Sequence, residues 1–90
     1  MKIKDGFMLR EIAGIYVVVP FGERIIDFNG LMTLNHCGVL IWKQLEKACT
    51  LHDLIQTVTK EYSIDELTAE NDINSFLEKL SSYNVVDFSK

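Results

Sequence analysis

Ninety residues with a net charge of −4 leave room for one modest core, because a chain this short hides only about 60–65% of its unfolded surface. Hydrophobic residues at 48% and charged ones at 24% are ordinary for a soluble globule, and no apolar run approaches the ~18 residues of a membrane span. Six acids and no base stand between Glu61 and Glu78, which argues against nucleic acid, whose affinity comes mostly from neutralised phosphates.

In chain order, the start MKIKDGFML meets Asp5 and Gly6 too soon to be a signal peptide, so a cytoplasmic protein is expected. Residues 7–12, FMLREI, and 15–20, IYVVVP, read as two strands around a turn at Ala13-Gly14. The second is almost purely β-branched or aromatic and is stopped by Pro20. Residues 21–30 carry turn signals at Gly22 and Asn29-Gly30 and are expected to form a packed loop. Leu31 to Leu34 then make a third strand that pairs back on the second and keeps one side free.

Asn35 is placed to cap a helix that follows at once, with Leu34, Cys37, Gly38, Ile41 and Leu45 on one stripe and Trp42 beside it. Gly38 costs roughly 1 kcal/mol against Ala there, so a neighbouring backbone is expected to pack closely. Thr50 and Asp53 have capping-box spacing before a second helix over about 51–62, its stripe being Leu51, Leu54, Ile55, Val58 and Tyr62. In a third helix Ile73, Phe76, Leu77 and Leu80 line the core side, and Asn84 suits a left-handed stop. Val85, Val86 and Phe88 are expected to close the core.

Chemistry is hard to find along this chain. Cys37, Cys49, His36 and His52 are the residue types of a zinc site. A helix between the cysteines nevertheless sets their α-carbons on the order of 18 Å apart, too far for a disulfide or a shared metal. No glycine loop cradles a phosphate, and no nucleophile has a base in the same cleft. The expectation is no catalytic residue, no metal and no cofactor.

What remains is a surface for a partner. At 100° per residue, Asp72, Phe76, Lys79 and Tyr83 form a row beside the core stripe of the third helix. The uncharged strand Leu31, Met32, Thr33, Leu34 is an edge that nothing blunts, and such edges invite an added strand.

These residues resemble a known family. Leu34-Asn35-x-x-Gly38-x-x-Ile41-Trp42, the capped second helix ending near Tyr62, and Ala69-x-x-Asp72-Ile73-x-x-Phe76-Leu77-x-x-Leu80 are similar to the PqqD family over about residues 7–88. The resemblance implies an α+β, winged-helix-turn-helix-like fold in which a three-stranded antiparallel sheet is followed by a three-helix bundle (β-β-β-α-α-α), residues 1–90 forming one PqqD-like peptide-recognition domain. It implies a non-catalytic protein that binds the leader segment of a ribosomally made precursor peptide by strand addition and presents it to a modifying enzyme, often a radical S-adenosylmethionine enzyme. The peptide-binding residues carried over are Leu31, Met32, Thr33, Leu34, Asp72, Phe76, Lys79 and Tyr83. Against the family pattern, residues 21–30 are long enough to shield the edge, Cys37 replaces a small or hydroxyl residue, and Asn84 replaces glycine. The alternatives are a homodimer joined through the same edge, or a winged-helix DNA-binding regulator, which the acids of the third helix disfavour.

Overall fold

The computed structural model describes residues 1–27 and 32–89. Strands β1 (Lys2–Ile3), β2 (Phe7–Ile12) and β3 (Ile15–Pro20) lead through one helical turn, α1 (Arg24–Asp27), to β4 (Met32–Leu34). Helices α2 (His36–Leu45), α3 (Leu51–Tyr62) and α4 (Glu66–Ser82) follow, then β5 (Val86–Asp87). The sheet β2-β3-β4 is antiparallel, and with the three long helices it makes the expected α+β plan.

Three short elements lie outside that plan. β1 and β5 pair antiparallel, Lys2 opposite Asp87 and Ile3 opposite Val86; strands of two residues leave no periodicity to read. Residues 24–27, expected to be loop, form the turn of α1 instead. Gly22 (φ 61°) reverses the chain, and the carbonyls of Phe21 and Gly22 accept from the N–H groups of Arg24 and Ile25. Arg24 Nε then donates to the Asp5 carbonyl at 3.0 Å, and its guanidinium lies 5.6 Å from the centre of the Phe7 ring. A side chain on Gly6 (φ 100°) would run into Arg24 Cγ.

The β2–β3 turn fixes which strand edges are free. Ala13 and Gly14 both have positive φ, 53° and 81°, the twist that two-residue hairpins favour. Such a turn makes the flanking pair Ile12–Ile15 a hydrogen-bonded one, so by alternation Arg10–Val17 and Met8–Val19 are too. Val17 therefore turns its N–H and C=O toward β2, while Tyr16 and Val18 turn theirs toward Leu34 and Met32. Thr33, opposite Val17, is left with its N–H and C=O facing away from the sheet.

The inward side chains of β3 and β4 (Val18, Met32, Leu34) meet Val39, Ile41, Trp42 and Leu45 of α2, Leu54, Ile55 and Val58 of α3, and Ala69, Ile73, Leu77 and Leu80 of α4. Val39 and Trp42 are buried on the core side of α2, so its apolar face is wider than the stripe expected from 34, 37, 38, 41 and 45. Val85 and Val86 close the core as expected, but Phe88 is 49% exposed, because β5 ends at Asp87 and the chain turns away there. Tyr62, at 36% exposure, also leaves the core stripe. It ends α3, where Ser63 takes a left-handed conformation (φ 54°).

Caps position the helices. The Asn35 carboxamide accepts from Gly38 N–H at 2.8 Å. Thr50 and Asp53 form a reciprocal box at 2.9 and 3.1 Å. Asp65 caps α4 by accepting from Thr68 N–H at 2.8 Å. At the far end Asn84 (φ 59°) donates to the Ser81 carbonyl while Val85 donates to Leu80, and the two fully buried side chains of Leu80 and Val85 complete the Schellman stop.

Candidate peptide-binding groove

Because β4 runs straight into α2 through Asn35, and α4 crosses behind both, a groove opens between the sheet edge and α4. It has a volume of about 600 Å³. From β4 it takes Thr33 and Leu34; from α2, Cys37, Gly38 and Ile41; from α4, Asp72, Ser75, Phe76 and Lys79. The α4 residues are one row at helical spacing, while Ala69, Ile73, Leu77 and Leu80 face the core.

Of the residues expected at the site, Thr33, Leu34, Asp72, Phe76 and Lys79 come together here. Met32 does not line the groove: its side chain is fully buried and its backbone faces β3. Tyr83 does not line it either. It is the C-cap of α4, one turn beyond Lys79 and still bonded to its carbonyl, and its ring packs half-buried against the core. Leu31 lies outside the described residues, as do residues 28–30 of the segment expected to bear on the edge. Residues 21–27 are held at the far end of β2 by the Arg24 contacts and by Phe21 N–H donating to Gly6.

Sequence reasoning does not find Asn35, Cys37, Gly38, Ile41 and Ser75 as lining residues. Ser75 is within its reach, lying three residues after Asp72 and four before Lys79 on the same row. Cys37, Gly38 and Ile41 read as one core stripe, because periodicity gives a face without saying what opposes it. At Gly38 the neighbour is a ring and not a backbone. A Cβ there would stand 3.0 Å from Phe76 Cε1, 3.3 Å from Asn35 Oδ1 and 3.4 Å from Leu34 Cβ.

Polar chemistry sits at both ends of the groove. Lys79 Nζ donates to the Thr33 carbonyl at 3.1 Å, so the outward acceptor of the edge strand is held by an ammonium. At the other end the Tyr62 hydroxyl lies 3.1 Å from His36 Nδ1, near the half-buried Cys37 thiol. Burial pushes the Cys37 thiol above its ordinary value and the Asp72 charge adds to this, while the Tyr62 hydrogen bond acts the other way. A thiol held protonated is a poor nucleophile. Cys37 and Cys49 are both free.

A three-stranded wing with an outward-facing edge residue, set against a helix-walled groove, defines a winged-helix-like domain. Residues 16–86 match the family model of coenzyme PQQ synthesis protein D, and the chain belongs to the PqqD family. It is similar in structure to TbiB1, solved in complex with the TbiA(beta) leader peptide. The TM-score is 0.78 at 25% identity, over 98% of this chain and 96% of that one. No curated protein matches the sequence.

Proposed function

We propose that this protein is a non-catalytic recognition domain for the leader segment of a ribosomally made precursor peptide. The leader adds as a strand to β4 and lies in the groove against α4, and the domain presents it to a separate modifying enzyme of the radical S-adenosylmethionine or another peptide-modifying class. The observation that carries this reading is the outward N–H and C=O of Thr33 beside the Phe76 wall, in a PqqD-family chain similar in structure to a leader-peptide complex. Backbone hydrogen bonds supply affinity in this mode, and pockets for alternate side chains supply selectivity. Two free thiols suit a reducing cytoplasm. Among the described residues, no helix is long and apolar enough to cross a membrane.

The test is a ¹⁵N NMR titration with precursor peptides encoded beside this protein. The expected result is shifts concentrated at residues 32–38 and 72–79. Silence from every such peptide, together with a concentration-dependent dimer whose shifts centre on Thr33, is the opposite result and turns the edge into a self-assembly surface.

A further inference from the structure

Lys79 occupies the acceptor that a docking strand needs. A peptide N–H that bonds the Thr33 carbonyl must share that oxygen with the ammonium, now 3.1 Å away, or displace it, and a carboxylate nearby draws the ammonium off. Its own helix offers it no anion: three and four residues away stand Ser75, Phe76, Ser82 and Tyr83. We propose that the groove selects an extended segment bearing one carboxylate immediately beside the residue that pairs with Thr33, and an apolar side chain on the other side of that residue. This inference rests on the strand-addition reading above.

The placement follows from strand geometry. The residue paired with Thr33 sends its side chain outward, as exposed Thr33 does, and its two neighbours turn inward, about 7 Å apart. One inward position meets the apolar wall of Phe76, Leu34 and Ile41, which suits Leu, Ile or Phe. The other meets the displaced Lys79 ammonium, and a carboxylate there replaces a neutral acceptor by a charge-assisted one. A second acid further along is opposed by Asp72 at the far end of the groove and by the net charge of −4. The preference is therefore for a single acid at one place, not for an acidic run.

The experiment is a selection of displayed random 12-residue peptides on the wild-type protein and on Lys79→Glu, followed by titration of the winners. Wild-type winners are expected to carry Asp or Glu two residues from a large apolar side chain. Changing that acid to its amide, or Lys79→Met in the protein, is expected to weaken binding about tenfold. Lys79→Glu is expected to enrich Lys or Arg at the same position, and the paired swap to restore affinity. Winners that shift the Thr33 amide yet ignore both Lys79 changes overturn the carboxylate inference and leave strand addition standing. A library from which nothing shifts that amide overturns both.

Discussion

Gly38 and Phe76 are fitted to each other across the groove, with only 3.0 Å between the ring's Cε1 and the place a Cβ on Gly38 would take. Gly38→Ala gains about 1 kcal/mol of helix propensity but forces the ring aside by a few tenths of an ångström. Stability is expected to change by less than about 1 kcal/mol, while leader affinity drops several-fold. Paired urea unfolding and peptide titration read the two quantities separately. Unchanged affinity would mean that the ring position does not matter to the ligand.

Phe76 and Tyr83, equivalent by periodicity, are expected to behave differently. Phe76→Ala removes the groove wall and should weaken leader binding tenfold or more. Its cost in stability should stay below the ~3–5 kcal/mol of a fully buried phenylalanine, since Phe76 is only partly buried. Tyr83→Ala should lower the melting temperature with little effect on the affinity of the folded protein. Isothermal titration of both variants settles it, and a large affinity loss in Tyr83→Ala counts against a groove whose α4 wall ends at Lys79.

Asp53 and Asp65 make stability sensitive to acid. Hydrogen bonds from Thr50 hold the Asp53 carboxyl below its ordinary range, and those from Thr68 do the same for Asp65. Groups depressed in the folded state stabilise it fully above their unfolded value of about 3.9. That contribution is lost as the pH falls through the lower folded values. Urea midpoints between about pH 2 and pH 6 should decline steeply below pH 4 in the wild type and less so in Asp53→Asn/Asp65→Asn, which keeps the caps without their charge. Parallel curves for the two proteins would assign the acid sensitivity to other carboxyls.

Cys37 lies at the mouth of the groove with its thiol pushed toward the protonated form. Alkylation by iodoacetamide at about pH 7.5 should be slower than for an unperturbed thiol, since the thiolate is the nucleophile. A docked leader should slow it further. Mass spectrometry of the peptide containing Cys37 follows both effects, and labelling that a saturating leader leaves untouched would place the ligand elsewhere.

Ala13 sits at φ 53°, a region that costs an alanine on the order of 1 kcal/mol and that asparagine tolerates. Ala13→Asn creates the preferred Asn-Gly turn and should stabilise the protein by roughly 0.5–1 kcal/mol without touching the groove. A chemical denaturation midpoint that fails to rise argues that the turn is already relaxed.

The strands around Ala13-Gly14, the caps at Asn35 and Thr50, the stop at Asn84 and the core row of α4 are legible in the sequence, because each is a local signal whose partner lies within a few residues. Asp72, Phe76 and Lys79 are readable as a row for the same reason. The contact between Gly38 and Phe76 and the Lys79–Thr33 hydrogen bond are not local: they join residues 38 and 46 apart in the chain. Cys37 reads as core from the sequence, since a helical period cannot distinguish a face that meets protein from one that meets a groove. Tyr83 keeps the angular position of the row, being still helical and bonded to the Lys79 carbonyl, but one turn further on that face meets the core and not the groove, which spacing alone does not tell.

The pairing of Lys2 with Asp87 and Ile3 with Val86 brings entry and exit of the domain to one place, and none of these four residues lines the groove. A domain whose ends meet can be spliced into a surface loop of a larger polypeptide, or permuted to begin at the Ala13-Gly14 tip, while β4 and α4 keep their spacing. The same architecture is thus compatible with standing alone or with insertion into a larger chain. In either arrangement the groove keeps its walls, since none of them lies at the joined ends.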